Sequence, residues 1–219
     1  MPKKFAWSYS ALSAFETCPR KYWHERIGRT VKEKKSSVAD YGTMAHRKFE
    51  LRLLKGQKLP LDLKHHEPTL AKLANASGEG MPEQKLAIND RFQPTGFFDD
   101  DVWCRAIIDY AKHNGRHILI VDHKFGKMKS NFDQLDLMAA MIVCHIEEIE
   151  TVTGAFYWAK EKKIAPKKYV REDMPEVWAS FLPRVQAMQD AITNEDFPAR
   201  PSGLCKNYCL VKSCPHCGA

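Results

Sequence analysis

IIDYAKHNGRHILIVDHKFGK (residues 107–127) holds two apolar runs that each end in an aspartate, Asp109 and Asp122, and a lysine, Lys124, two residues after the second. The letters ILIV favour a buried strand, and HNG before them favours a tight turn. Side chains alternate along a strand, so Asp122 and Lys124 share one face while His123 points away. The stretch therefore predicts a hairpin that brings two carboxylates and an ammonium to one sheet edge. A surface hairpin with a solvated ion pair is the alternative.

Composition bounds the class of protein. The chain has 219 residues, of which 44% are hydrophobic, enough for one large or two small globular domains. No apolar run approaches the roughly 20 residues that cross a bilayer, and the first ten residues lack the apolar core of a secretory signal. We therefore expect a cytoplasmic protein without a membrane partner. The net charge of +7 favours an anionic partner, nucleic acid above all.

The remaining segments predict an α/β fold with a central mixed β-sheet flanked by helices. Apolar spacing and capping residues indicate helices, and apolar runs indicate strands. Residues 56–80 are polar and are expected to have weak structure, and the polar residues 31–37 are expected to form a loop. We expect one domain over residues 1–219, with N-terminal helices at 8–30 and a cysteine-rich tail at 200–219. Further helices are expected near 40–53, 131–149 and 175–193, and further strands near 83–90 and 153–159.

The hairpin residues fit the chemistry of phosphodiester cleavage. Mg²⁺ and Mn²⁺ are held by a few oxygen ligands, and two carboxylates on neighbouring strands repel each other unless a cation lies between them. Such an ion lowers the pKa of a bound water, and a nearby lysine orients that water and stabilises charge on the phosphate oxygens. A single Asp-x-Lys triplet occurs by chance in many chains, so the other motifs have to support this interpretation.

Several ordered motifs resemble one nuclease family. IID followed by LIVDHK resembles the core of the PD-(D/E)xK nuclease superfamily. The surrounding stretches are similar to those of its RecB-like exonuclease branch, which includes phage recombination exonucleases and the iron–sulfur nucleases of CRISPR adaptation. In the family's order these stretches are SYSALSAFETCPRKYW, GTMAHRKFE, EQKLAI and FDQLDLMAAM.

This resemblance implies a metal centre. His46, Asp109, Asp122 and the backbone carbonyl of His123 would bind Mg²⁺ or Mn²⁺, and Asp122 could bridge two ions. Lys124 would be the catalytic lysine that acts on the attacking water.

The resemblance also implies roles around the centre. Glu83 matches an upstream acidic residue that contacts the metal through water or orients the lysine, although it could be a plain strand terminus. Gln134 matches a glutamine that positions the substrate or the lysine. The family often has a tyrosine four residues after that glutamine, where this chain has Met138. Three more residues, Arg20, Lys21 and Tyr22, either contact DNA phosphates or pack and solvate their helix.

Cysteines are dense in the tail. Four of them, Cys205, Cys209, Cys214 and Cys217, fall within residues 205–217, a density that indicates a metal or cluster in a protein without disulfides. In the iron–sulfur nucleases that the chain resembles, one early cysteine joins three late ones around a [4Fe–4S] cluster. That pattern maps onto Cys18, Cys205, Cys209 and Cys214 and leaves Cys217 as an alternative ligand. Zn²⁺, or no metal, remains the other interpretation.

The motifs together predict a metal-dependent DNA exonuclease. It would act on single- or double-stranded DNA ends in phage or mobile-element recombination or replication, with a recombination or single-strand-binding protein as a further partner. A structure-specific or nicking endonuclease would use the same centre. A DNA-binding or adaptor module without cleavage is the alternative from another class.

Overall fold

The computed structural model describes residues 5–32, 37–81 and 83–218. The loop expected at residues 31–37 falls mostly on residues 33–36, outside the described residues. The helices are α1 (Tyr9–Thr17), α2 (Pro19–Tyr22), α3 (Ser37–Lys55), α4 (Glu67–Asn75), α5 (Asp133–His145), α6 (Met174–Thr193) and α7 (Leu204–Asn207). The strands are β1 (Trp7–Ser8), β2 (Glu79–Met81), β3 (Gln84–Ile88), β4 (Cys104–Ile108), β5 (Tyr110–Asn114), β6 (His117–Lys124), β7 (Thr151–Trp158) and β8 (Lys163–Val170).

The chain divides into two compact units. The larger contains residues 1–6 and 36–178, and the smaller contains residues 7–35 and 179–219. The expected N-terminal helices and the cysteine-rich tail thus lie in the same unit. The assignment of residues 1–219 to one domain stays a prediction.

A five-stranded mixed sheet is the frame of the larger unit. Its order is β2-β5-β6-β7-β8; β6 and β7 run parallel, and the other neighbours are antiparallel. Asn114 pairs with His117, so a two-residue turn joins β5 to β6, and its first residue, Gly115, has φ +58°, which a residue without Cβ adopts at little cost. The hairpin predicted from residues 107–127 is confirmed.

Helices cover both faces of this sheet. On one face α3 and α4 pack against Tyr110, Val121 and Tyr157. On the other face α5 lies on β6 and β7 and also contacts the antiparallel pair β3–β4. Leu135 of α5 approaches β7 so closely that a Cβ on Gly154 would lie 3.3 Å from the leucine Cβ. The predicted class, an α/β fold with a mixed sheet flanked by helices, is confirmed.

The prediction of weak structure for residues 56–80 was wrong, and three other elements have features that the sequence patterns did not indicate. Residues 56–80 are ordered: a 3₁₀ turn at Leu61–His66 leads into α4, and β2 follows. Strand β8 was missed, because Pro166 and the five lysines or arginines around it do not give a strand-like apolar pattern. The strand lies at the edge of the sheet, where proline is tolerated. Helix α6 continues through Pro183, which lies inside it. Helix α5 buries residues on all sides because it lies between the sheet and the β3–β4 pair.

The smaller unit begins with a capped helix, as the sequence predicts. The Ser8 hydroxyl accepts a hydrogen bond from the Ala11 N–H at 3.3 Å and caps α1. Pro19 occupies the first position of α2, which leads into a π-helical turn over Trp23–Ile27. Glu16 accepts two hydrogen bonds from the Arg184 guanidinium, at 2.6 and 2.9 Å, which ties α1 to α6.

Candidate active site and cysteine cluster

Asp109 lies in the bend between β4 and β5, beside the end of β6. Tyr110 pairs with Val121, so the next step of the register places Asp109 beside Asp122. Asp109 Oδ2 accepts a hydrogen bond from the His123 main-chain N–H at 2.9 Å and lies 3.1 Å from His46 Nδ1. The two aspartates of the opening stretch therefore meet at one sheet edge.

Asp122, Lys124 and Gln134 form a closed polar cluster on the α5 face of the sheet. Lys124 Nζ lies 2.6 Å from Asp122 Oδ2 and donates to Gln134 Oε1 at 2.7 Å. The Gln134 Nε2 donates to Asp122 Oδ1 at 2.8 Å. The lysine ammonium also lies 5.3 Å from the centre of the Phe156 ring, a cation–π distance. One glutamine at the start of α5 thus holds both an aspartate and a lysine of β6.

The two carboxylates have pKa values that move in opposite directions. Burial raises the pKa of Asp122 to about 6, and the charge of Asp109 adds to this rise while Lys124 opposes it. Burial would also raise the pKa of Asp109, but hydrogen bonds from His123 and His46 hold that pKa below its ordinary range. Burial lowers the pKa of His46, and its contact with Asp109 outweighs this, so the net direction is upward.

Helix α3 forms the wall of a cavity of about 290 Å³ beside Asp109. Its contributing positions, 43, 46, 47 and 50, follow the helical spacing of one face. Glu83, just before β3, also lines the cavity and lies 3.6 Å from Lys85 Nζ. The lining residues are Thr43, His46, Arg47, Glu50, Glu83, Asp109 and His123.

This donor set fits a divalent cation. His46, Asp109 and His123 each offer one ligand atom, and the three atoms lie within 4.8 Å of one another. Asp122, 4% exposed, is a buried carboxylate next to another one, an arrangement that a cation between them would stabilise. The sequence predicted the His123 carbonyl as a ligand; the imidazole of the same residue is a donor that the motif did not indicate.

Sequence reasoning missed Thr43, Arg47 and Glu50. Arg47 Nη1 donates to Glu50 Oε2 at 2.6 Å at the cavity wall. Spacing along α3 places all three on the face of His46, which is the signal that could have found them. Met138, at the family's tyrosine position, is buried in α5. Its side chain therefore packs in the core instead of facing a substrate.

Four cysteines meet in the smaller unit. Cys18, Cys205, Cys209 and Cys214 line one small cavity together with Arg20, Lys21, Arg200 and His216. The Arg200 N–H donates to Cys18 Sγ at 3.5 Å and the Ser202 N–H to Cys205 Sγ at 3.4 Å.

These contacts fit a metal or cluster held by thiolates, because main-chain N–H groups and cations offset negative sulfur. Burial and the neighbouring Cys217 and Cys205 raise the pKa of Cys209, a repulsion that a bound metal would relieve. The Cys217 thiol donates to the Cys209 carbonyl at 3.3 Å. All seven cysteines of the chain are free thiols.

The three residues predicted to contact DNA have other neighbours. The Tyr22 ring is buried and meets the Phe15 ring edge-on at 5.9 Å, which favours the packing alternative for this residue. Lys21 Nζ lies 3.6 Å from Glu25 Oε1. Arg20 and Lys21 also line the cysteine cavity, as does His216, which sequence reasoning missed.

The helices were compared with what a membrane span requires. Among the described residues, none of the helices combines the length and the apolar character that a bilayer span requires.

Comparisons with known proteins place this geometry in a family. A family model described as the PD-(D/E)XK nuclease superfamily matches residues 6–216. A crystal structure from Eubacterium rectale, of a protein named as a candidate exonuclease, aligns with a TM-score of 0.54 at 14% identity over 93% of this chain and 86% of that chain. At that identity the likeness concerns the fold. A second structure, SSO0001, aligns with a TM-score of 0.43 at 10% identity over 99% of this chain and 89% of that chain. No curated protein matches the chain.

Proposed function

The chain belongs to the PD-(D/E)XK nuclease superfamily, and from this premise we propose that it is a divalent-metal-dependent DNA exonuclease that hydrolyses phosphodiester bonds at DNA ends. The observation that carries the proposal is the convergence of Asp109, Asp122, Lys124 and Gln134 at one sheet edge. A surface hairpin with a solvated ion pair would have no reason to bury Asp122 and clamp it with a glutamine.

Each side chain has a role that follows from its position. His46, Asp109, Asp122 and the His123 carbonyl would hold Mg²⁺ or Mn²⁺, which supplies an activated water and neutralises phosphate charge. Lys124 would orient the attacking water and stabilise the charge on the phosphate oxygens. Gln134 fixes the lysine through its Oε1 and the aspartate through its Nε2. Glu83 would contact a metal through water from across the cavity.

The smaller unit would hold a second inorganic group. We propose a [4Fe–4S] cluster on Cys18, Cys205, Cys209 and Cys214, with Zn²⁺ as the alternative. The cavity that these sulfurs line and the N–H groups directed at two of them support this. Its role would be structural, because it joins the first helices to the tail of the same unit. Cys217 is the alternative ligand, although its thiol already donates to Cys209.

The biological setting extends the same proposal. The net charge of +7 supports binding to a DNA backbone without base reading. A cytoplasmic role at DNA ends in phage or mobile-element recombination, beside a recombination or single-strand-binding protein, follows from the motif resemblance. Arg20 and Lys21 would serve either the DNA or the cysteine site.

Digestion of end-labelled linear DNA and closed circular DNA, with Mn²⁺ or Mg²⁺, tests the function. We expect loss of the linear DNA alone, and none with Lys124→Ala. Lys58→Ala is the matched control, because Lys58 is an exposed lysine of the same unit that lies past the end of α3, away from the cluster and the cavity. Cutting of the circle would favour the endonuclease alternative. No cleavage by folded, metal-loaded protein would leave a non-cleaving DNA-binding module.

A further inference from the structure

The imidazole of His123 is buried and poorly satisfied. The side chain is 2% exposed, neither ring nitrogen makes a hydrogen bond of normal geometry within the described residues, and Nδ1 makes a long contact of 3.5 Å with Asp109 Oδ2. Leaving a buried polar group unsatisfied costs free energy, so native structures rarely do so without a reason. Packing alone would be served better by phenylalanine, since the ring lies among Phe49 and Tyr157 at 5.3 and 6.2 Å between ring centres.

The nitrogens of two histidines lie around one carboxylate oxygen. His46 Nδ1 is 3.1 Å and His123 Nδ1 is 3.5 Å from Asp109 Oδ2, and the three-residue group closes within 4.8 Å. In octahedral coordination with bonds of about 2.1 Å, adjacent donors are about 3.0 Å apart and opposite donors about 4.2 Å. The His46–Asp109 distance of 3.1 Å matches adjacent ligands, and the 3.5 Å and 4.8 Å limits of the other pairs exceed the octahedral values by about half an ångström, which small side-chain movements on binding would close.

We propose that the His123 imidazole is a metal ligand, so that His46, Asp109 and His123 form a site of two imidazoles and one carboxylate that binds Mn²⁺ in preference to Mg²⁺. Imidazole suits first-row transition ions, whereas Mg²⁺ takes oxygen ligands almost exclusively. The inference deepens the proposed function and rests on its metal requirement.

His123 and its two sequence neighbours point to opposite faces of the sheet. Its neighbours Asp122 and Lys124 point to the α5 face, where Gln134 holds them. Its own ring points to the α3 face, where His46 lies 5.8 Å away between ring centres. Asp109, at the strand end, lies between the two sets, so the imidazole site adds a donor that the carboxylates alone lack.

Metal titration of the DNA-free protein tests the ligand role. With His123→Phe we expect Mn²⁺ affinity to fall by about ten-fold or more, as loss of a ligand or its support does, while Mg²⁺ affinity changes little. The stability of the metal-free variant should be equal or higher, because a buried imidazole without a well-formed hydrogen bond is removed. His66→Phe is the matched control: His66 packs edge-on against the same Phe49 and Tyr157 rings, but its Nδ1 is hydrogen-bonded to the Tyr157 hydroxyl at 2.6 Å.

A second measurement works on the unaltered chain. Pulsed electron paramagnetic resonance of the Mn²⁺-loaded wild type counts the coordinated imidazole nitrogens, and we expect two. One coordinated nitrogen, or unchanged Mn²⁺ affinity in folded His123→Phe, would overturn the proposal. Both measurements are made without DNA, so their outcome does not depend on the digestion assay. If Mn²⁺ is bound through two nitrogens but the digestion assay shows no cleavage, the exonuclease proposal fails and the ligand assignment stands.

Discussion

At the scale of single residues, Gln134 holds Lys124 with one end of its amide and Asp122 with the other. The motif implied a positioning role for Gln134. The two hydrogen bonds themselves depend on the packing of α5 on the sheet and could not be predicted from the motif. The convergence of Asp109, Asp122 and Lys124 could be predicted because strand alternation and a tight turn fix it locally. Helical spacing puts Arg47 and Glu50 on the face of His46, but their approach to Asp109 could not be predicted, because it depends on how α3 packs across the sheet.

Removing the amide of Gln134 should impair catalysis more than DNA binding. In Gln134→Leu, Lys124 and Asp122 lose the group that fixes them, so we expect kcat to fall roughly 10- to 100-fold with KM for DNA unchanged. Single-turnover cleavage measures this. Gln186→Leu is the control, because that amide donates to Asp190 at 2.7 Å on the exposed side of α6. Equal losses in both variants would contradict a positioning role.

His66 should make the native state sensitive to mild acid. Burial, together with the charges of His65 and Lys162, lowers the pKa of His66 to about 4. The unfolded chain, with a pKa near 6.5, binds a proton between these values that the native state does not. The free energy of unfolding therefore falls as the pH drops from about 6.5 to 4, by roughly 3 kcal/mol at most, and is fully regained above that window.

Urea unfolding of wild type and His66→Gln at pH 5 and pH 7 isolates this effect. The wild type should lose more stability than the variant on going to pH 5. Asp122 has the opposite effect on the free energy of unfolding, because its pKa is raised to about 6 and the native state gains a proton as the pH falls. Asp122 is present in both proteins, so its contribution cancels in the comparison. Parallel losses in both proteins would show that His66 does not titrate as expected.

At the scale of elements, the segment 56–80 shows where sequence patterns fail. Its leucines are diluted by lysines, histidines and glycines, so neither the helical nor the strand period stands out. Tertiary packing nevertheless buries Leu63, Leu70 and Leu73 against α3 in the core of the larger unit. Lys112 of β5 secures the end of α4 by donating to the Ala74 carbonyl at 2.7 Å.

Leucine truncation distinguishes a packed segment from a loosely attached one. Leu70→Ala should lower the free energy of unfolding by about 2–5 kcal/mol, because it opens a cavity at a fully buried position. Leu61→Ala, nine residues away in the 3₁₀ turn, removes a side chain that is 88% exposed and should change the free energy of unfolding by less than about 0.5 kcal/mol. Chemical denaturation measures both. Similar small effects would mean that α4 contributes little to the core.

At the scale of the whole molecule, the positive charge is not spread evenly around the sheet edge that carries Asp109, Asp122 and Lys124. Lys124, Trp158 and Lys163 lie level on adjacent strands, and the Ala159 N–H donates to the Lys124 carbonyl at 2.8 Å. The turn with Lys160 and Lys162 therefore lies at the same end of the sheet as Lys124, the proposed catalytic lysine. The net charge could be predicted from the sequence. The position of these lysines beside Lys124 could not, because β8 was missed.

The cavity beside α3 carries carboxylates and, among the described residues that line it, no comparable excess of lysines. It is lined by Glu50 and Glu83, which are paired with Arg47 and Lys85, and by Asp109. Lys163 lies two strands away from Lys124, so at about 4.8 Å per strand the two residues are about 10 Å apart. This distance equals the axial rise of about three nucleotides of a DNA strand. Charge thus favours an uncleaved strand that lies over the β7–β8 turn and ends at the cavity.

Removing two of these lysines should weaken DNA binding in a salt-dependent way. For Lys162→Gln/Lys163→Gln we expect the slope of log K against log salt to lose about 1.5 units, since each phosphate contact contributes about 0.7–0.9. The control is Lys55→Gln/Lys58→Gln, which removes the same charge from exposed lysines at the end of α3, about 13 Å along that helix from His46. Binding of labelled DNA in the presence of a chelator, from low to moderate salt, measures the slope without cleavage. An unchanged slope, or the same loss in the control, would mean that the DNA does not lie over the β7–β8 turn.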